Sequence, residues 1–202
     1  MTQHILIPLQ RLGGTSSSSN NNNTTNTSSN MINATNNTPT IELKNVTSHN
    51  IDILKQLHLI LFPVHYSDSF YQHVQQVGEF AKVVYVDDKA VGAICCRIEP
   101  ELQQEGKYRV YIMTLGVLEA YRRRHLGHLL LQHVIDQAYR QPNITRIYLH
   151  VQVLNTTALA LYHRHGFQKV ALARDYYKHI PDKDAYVVVK NIVRSSSSSS
   201  TF

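Results

Sequence analysis

The chain is poor in cysteine. Its 202 residues contain two, and these are adjacent, Cys95 and Cys96. Neighbouring residues on a strand point to opposite faces, and a bridge between them would be strained. The pair therefore reads as two reduced core thiols in a reducing compartment, which excludes a disulfide-stapled scaffold. Long apolar runs are also missing: nothing approaches the ~20 residues needed to span a bilayer. The N-terminal "HILIPL" is too short for a secretory h-region and no small-residue cleavage site follows it. Acids are absent before Glu42, as in a mitochondrial presequence, but Arg11 is the one Lys or Arg in that stretch. The expected location is the cytoplasm, with a possible nuclear pool. Without a signal peptide, the Asn-x-Ser/Thr triplets at Asn26, Asn33 and Asn143 are chance matches. No repeat of solenoid period is present. The net charge of +6 favours acidic partners such as a phosphorylated ligand, RNA or a ribosome surface. No basic stripe interleaved with stacking aromatics accompanies it, so direct nucleic-acid binding is not expected. Membrane binding is not expected either.

Twelve histidines invite a metal reading, but their spacing does not support one. His163 and His165 flank Arg164 and do not share a helical face. His125 and His128 could share one, but no carboxylate or cysteine completes a set, so no metal site is expected.

Thr15 to Thr40 is a Ser/Asn/Thr tract without charge and almost without apolar side chains. Such a segment buries too little surface to offset its chain entropy and reads as disordered. The serine run from Ser195 reads the same way. The expected organisation is a tail over 1–40, one folded domain over 41–193 and a tail over 194–202. The folded part alternates strand and helix patterns. "IELKNVT" is a strand, and Thr47 or Ser48 can cap a helix carrying Ile51, Leu54, Leu57 and Leu61 that Pro63 ends. "SDSFYQHVQQV" is a second, shorter helix. "AKVVYVDD", "KAVGAICCRIE" and "YRVYIMTLGV" are strands, with a tight hairpin at Asp87-Asp88-Lys89. A long helix follows with Leu126, Leu129, Leu130, Val134 and Ala138 on one stripe. "RIYLHVQV" is a buried strand, and Asn155 caps a helix ending at Gly166. "FQKVALARDYY" and "AYVVVKNI" are the last strands. Antiparallel strands followed by strand–helix–strand units predict an α/β fold, a mixed twisted sheet flanked by helices in a single domain.

Tyr111 to Gly127, "YIMTLGVLEAYRRRHLG", carries the most chemistry. An apolar strand enters a short loop and then a triple-arginine cluster at a helix start. Free backbone N–H groups and the positive end of the macrodipole favour a pyrophosphate there. Arg122, Arg123 and Arg124 add charge, and Gly127 lets a ligand approach the backbone. The spacing resembles the acetyl-CoA motif of the GCN5-related N-acetyltransferases (GNAT), Arg/Gln-x-x-Gly-x-Gly/Ala. Here it reads Arg122-Arg123-Arg124-His125-Leu126-Gly127, with His125 in place of the first glycine. If that position requires φ > 0, histidine costs on the order of 1–2 kcal/mol. Further segments sharpen the resemblance: "LFPVHYSDSFY", "IYLHVQVLNTTALALYHRHGF" and "DYYKHI". Together with the CoA motif they look like the Naa50 (San) type of N-terminal protein acetyltransferase, over residues 41–193.

The resemblance implies acetyl transfer from acetyl-CoA to a protein N-terminal α-amine, usually of Met before a hydrophobic residue. It also implies NatE-type association with the NatA complex at the ribosome. An α-amine titrates near ~7.7–8.0, so a modest base suffices. The resemblance gives that task to Tyr111 and His150, in direct attack within a ternary complex. A histidine near pKa ~6.5 suits it. From the residues alone, the favoured readings are an interior hydrogen-bonded histidine for His150 and ordinary β packing for Tyr111. Backbone N–H groups of Leu115, Gly116 and Val117 are the natural donors to the thioester carbonyl, on a strand that in this fold splays or bulges there. Tyr162 is placed near the CoA sulfur to protonate or orient the leaving thiolate, or is simply a core tyrosine. Leu126, His128 and Asn155 complete the cofactor contacts. The acceptor lies between Phe62, Pro63, Val64 and Tyr66 on one wall and Tyr176, Tyr177 and Ile180 on the other. The plainer readings are a helix stop with an apolar plug and a strand pair with one buried ring. Two rival functions keep the same fold: a lysine side-chain acetyltransferase, and a scaffold subunit whose cofactor affinity His125 has weakened.

Overall fold

The computed structural model describes residues 38–62, 64–178 and 182–194. Residues 1–37 and 195–202 of the two tails, Pro63 as a helix stop and Ile180 as a wall residue lie outside that range. Thr40 bonds Asp87, and Arg194, assigned to the C-terminal tail, donates to the Ala138 and Ile144 carbonyls. Seven strands form one sheet in the order β1-β2-β3-β4-β5-β7-β6: β1 Ile41–Asn45, β2 Ala81–Val86, β3 Lys89–Pro100, β4 Tyr108–Val117, β5 Ile144–Gln152, β6 Gln168–Ala173 and β7 Ala185–Asn191. Every pairing is antiparallel except β4 with β5. The β2–β3 hairpin turns at Asp87 and Asp88, both with positive φ, as a two-residue turn matched to strand twist requires.

Four α-helices flank the sheet: α1 Ile51–Leu61, α2 Asp68–Gln76, α3 Leu126–Arg140 and α4 Thr156–Arg164. The residue before α1 is Asn50, not Thr47 or Ser48. Its amide accepts from the Thr47 N–H and donates to the Asn45 carbonyl, closing the turn out of β1. Ser67 caps α2 by accepting from the Phe70 N–H. Asn155 caps α4 by accepting from the Ala158 N–H at 3.0 Å, and Gly166 leaves that helix at φ +80°. On α3 the buried stripe is Leu126, Leu130, Leu131, Val134, Ile135 and Ala138. Leu129, expected among them, is 38% exposed and Leu131 takes its place. The α3 stripe packs on β3, β4 and β5. Cys95 and Cys96 are free thiols, both fully buried. Cys95 turns toward His58 of α1, and Cys96 lies close enough to Tyr162 of α4 to influence its phenol.

The β4–β5 seam positions the site. The two strands pair only from Tyr108–Ile144 to Tyr111–Tyr148. Beyond Tyr111, β4 pairs with β3 alone as far as Val117, while β5 runs on beside β7 to Gln152. A wedge therefore opens between them. Its base is clamped by β5 side chains: Thr145 donates to Glu101 at 2.7 Å, and Arg146 bridges the same carboxylate at 2.7 Å. A further irregularity leaves Met113 without a β3 partner, between the pairs Cys95–Thr114 and Cys96–Ile112.

Candidate active site

Tyr111 stands where the wedge opens. Its ring is 4% exposed. Its hydroxyl is 2.9 Å from the Tyr176 hydroxyl and 3.3 Å from His150 Nδ1. The His150 ring stacks on Tyr176, centroids 4.0 Å apart and 7° from parallel. Tyr111 of β4, His150 of β5 and Tyr176 of the loop after β6 thus meet across the seam. Burial pulls the His150 imidazole down to about 4 rather than leaving it near 6.5, so the ring is neutral at physiological pH. Burial, reinforced by Tyr176, pushes the Tyr111 phenol far above its ordinary value. Tyr111 therefore keeps its proton and can both donate and accept hydrogen bonds, and the basic lone pair of the group belongs to His150.

The two walls meet. Tyr176 and Tyr177 belong to the turn after β6, not to a strand. Tyr177 is fully buried, packs with Ala185 against Val64 and Tyr176, and its hydroxyl donates to the His150 carbonyl at 3.4 Å. It holds His150 from behind, while Tyr176 faces the wedge. On the opposite side Phe62 is buried and edge-on to Tyr66, which stacks on Phe70 at 4.5 Å. Gly116 lies under this wall: a Cβ there would come within 3.0 Å of Phe62 Cζ and 3.1 Å of Leu61 Cδ1. Its missing side chain lets α1 close onto β4. Leu115, Gly116 and Val117 are half-buried along the unpaired edge of β4.

The loop into α3 contains two left-handed residues, Arg123 at φ 62° and His125 at φ 60°. The first-glycine position of the motif does require positive φ, and His125 bears that strain. His125 is the N-terminal flanking residue of α3, and its side chain forms no cap. Arg122 is committed to the strand end, donating from Nε to the Val117 carbonyl at 3.1 Å. Arg124 lies over the Tyr121 ring, while Arg123 and His128 are exposed. Gly127 has room for a side chain, since a Cβ would meet only Leu161 Cδ2 at 3.9 Å within 4 Å. Packing inside the protein does not call for glycine there, and a helix interior pays for one. An uncapped helix start with a backbone kept bare fits a pyrophosphate group. Tyr162 is 2% exposed, edge-on to Phe167, and burial raises its phenol strongly, so it holds its proton. Among the described residues no group of three or more His, Cys, Asp or Glu is arranged to hold a metal.

A charged row behind Tyr111 escaped the sequence reading. Arg97 and Tyr111 are register partners, as are Tyr111 and Tyr148. Arg97 lies over the Tyr111 ring at 5.3 Å and Arg109 over Tyr148 at 5.0 Å. Glu99 binds both guanidiniums and accepts from the Tyr148 hydroxyl. Burial works to raise its carboxyl, but the bonds from Tyr148 and Arg97 outweigh this and hold it below the usual range. The alternating charges of "CCRIE" were the available signal.

A split parallel pair with an open helix start beside it defines an acyl-CoA-dependent acetyltransferase fold, and the comparisons agree. Residues 50–167 match the model of the Acetyltransferase (GNAT) family, and the chain belongs to that family. Among individual relatives, N-alpha-acetyltransferase 50 of Danio rerio is 45% identical over 152 residues, 75% of this chain and 89% of that protein. The probable N-acetyltransferase san of Drosophila melanogaster is 43% identical over 160 residues, 79% and 85% of the two chains. The structure of Arabidopsis thaliana Naa50 in complex with the bisubstrate analogue CoA-Ac-MVNAL superposes with a TM-score of 0.70 at 43% identity, covering 74% of this chain and 97% of that one.

Proposed function

We propose that this protein is an acetyl-CoA-dependent N-terminal acetyltransferase that prefers an initiator methionine followed by a hydrophobic residue. The observation that carries the reading is the Tyr111–His150–Tyr176 group, set across the β4–β5 wedge between two apolar, aromatic walls. Relatives of 43–45% identity named for N-acetyl transfer support it. The Arabidopsis neighbour bound to an analogue that joins CoA to a Met-Val peptide supports the acceptor class.

Acetyl-CoA supplies the acetyl thioester. The α3 start, with the backbone of Leu126, Gly127 and His128 and the charges of Arg123 and Arg124, holds its pyrophosphate. The Leu115–Val117 edge offers N–H groups to the thioester carbonyl as negative charge develops there. The neutral His150, tied to Tyr111, receives the proton of the attacking amine directly or through a water. Tyr162 stays protonated, so its hydroxyl can donate a hydrogen bond that orients and steadies the departing thiolate. Phe62, Val64 and Tyr66 line the methionine side of the slot and Tyr176 the other. Asn155 orders the start of α4 beside the cofactor. We further propose cytoplasmic action with the NatA complex at the ribosome, towards which the net positive charge would favour attraction. The folded unit is proposed to be residues 41–193, with the two tails as spacers.

The test is acetyl transfer to Met-Leu, Met-Ala and Ser-Ala peptides and to an N-blocked peptide with an internal lysine, read by mass and CoA release. Selective modification of the Met-Leu α-amine is the expected result. Transfer only to the lysine peptide would move the activity to side chains. No transfer and no acetyl-CoA binding would leave a scaffold.

A further inference from the structure

His58 is 1% exposed, inside α1, and no step above uses it. A buried imidazole is costly unless its nitrogens are bonded. Here both face hydroxyls: Nδ1 is 3.3 Å from the Tyr71 hydroxyl and Nε2 is 3.4 Å from Thr114 Oγ1, with Cys95 Sγ at 3.9 Å. A hydroxyl can donate or accept, so either neutral tautomer is satisfied. Around the ring stand Phe62 at 5.4 Å, Tyr66 at 5.0 Å, Phe70 at 5.6 Å and Tyr71 at 5.7 Å. Phe62 and Tyr66 are wall residues of the acceptor slot. Thr114 is the last residue of β4 before the Leu115–Val117 edge, and it is the register partner of Cys95 beside the irregularity at Met113. Two residues further on, Gly116 receives Leu61 and Phe62.

Resting on the acceptor reading above, we infer that His58 is a positioning residue that locks the acceptor wall to the acetyl-polarising edge of β4. An aliphatic side chain of similar size would fill the same space. It would leave α1 free to turn or slide on the sheet, because hydrophobic packing has no direction. The two hydrogen bonds fix rotation and height together. The Gly116 notch then places Phe62 against the edge that polarises the acetyl carbonyl. The distance between the methionine slot and the reacting carbon is thereby set by α1 rather than by the substrate.

The experiment compares KM for a Met-Leu peptide with KM for acetyl-CoA in four proteins: wild type, His58→Leu, His58→Gln, and Tyr71→Phe with Thr114→Val. The double variant retains the His58 ring and nearly the same volumes, and so covers the case in which His58→Leu fails to fold. The expected result is a peptide KM at least fivefold higher in His58→Leu and in the double variant. KM for acetyl-CoA should stay within twofold. His58→Gln, whose amide reaches the Nε2 position, should return the peptide KM to within about twofold of wild type. A peptide KM unchanged in both disabling variants overturns the lock, whatever their melting temperatures. So does an equal rise in both constants, which would mean general loosening. The wild-type arm separates the two readings: a wild type that leaves Met-Leu unmodified overturns the acceptor assignment itself.

Discussion

At the residue scale, the pH behaviour of His150 differs from that of a free histidine. Burial holds it near 4, so it is already neutral at pH 5 and above. The acidic limb of kcat/KM for a peptide should therefore follow the acceptor amine, rising until about pH 8, without an inflection near 6.5. A full pH–rate profile checks this, and an inflection near 6.5 would mean that the ring is more solvated than the structure shows. The same shift acts on stability. A folded pKa below the unfolded one means that the unfolded chain binds the proton first. The contribution is present above about 6.5 and is lost as pH falls from there toward 4, so Tm should decline over that window. His150→Gln should flatten part of the decline in thermal melts. The same substitution should lower kcat/KM by about 10²-fold or more if the ring receives the proton. These residues were legible only in part. "YLHVQ" and the tyrosine entering the CoA loop stand out once the family is recognised, but composition gives no hint that His150 lies against Tyr176. That contact joins β5 to a turn 26 residues later. His58 was missed for the same reason, and so was most of the Glu99 cluster: beyond the local Arg97, its partners Arg109 and Tyr148 come from other strands, through a register that no local pattern encodes.

At the element scale, the start of α3 offers two substitutions that should behave differently. Gly127→Ala has room in the free protein and removes a flexible residue from a helix. It should stabilise that protein by about 0.5–1 kcal/mol while weakening acetyl-CoA binding, as read by melting and by calorimetry. His125→Gly relieves a left-handed backbone at φ 60° and should raise stability by up to about 1 kcal/mol, or ~2–4 °C in Tm. If His125→Gly instead lowered Tm, the ring would be contributing contacts that outweigh its strain. The helices and strands themselves were largely readable, because hydrophobic periods and breakers are local. The errors fell where local signals compete. Thr47, Ser48 and Asn50 are all good caps, and Asn50 takes the place with its amide turned back to the Thr47 N–H and the Asn45 carbonyl rather than onto the helix. Leu129 and Leu131 flank the stripe centre, and the position of the sheet decides which is covered. The strand order β5-β7-β6 is a long-range outcome that the sequence pattern left open.

At the scale of the whole molecule, cofactor binding should appear as a global stability change. Saturation at about 100 times Kd adds about 2.7 kcal/mol, which for a domain of this size is a Tm rise of roughly 5–11 °C. A thermal shift titration with acetyl-CoA measures it, and its absence would favour the scaffold. The short β4–β5 pairing has a mechanical meaning as well. Every strand up to Val117 sits on one side of the seam, and every strand from Ile144 sits on the other. The first half brings Tyr111 and the Phe62 wall; the second brings His150, Tyr176 and Tyr162. The proposed reaction centre is thus a joint between two half-sheets. The ion pair and hydroxyl bond at Glu101 act as its pivot pin, at the far end from the chemistry. A loosened pin would be magnified along the strands, so the spacing of Tyr111 and His150, the proposed relay, is governed by side chains at the opposite end of the seam.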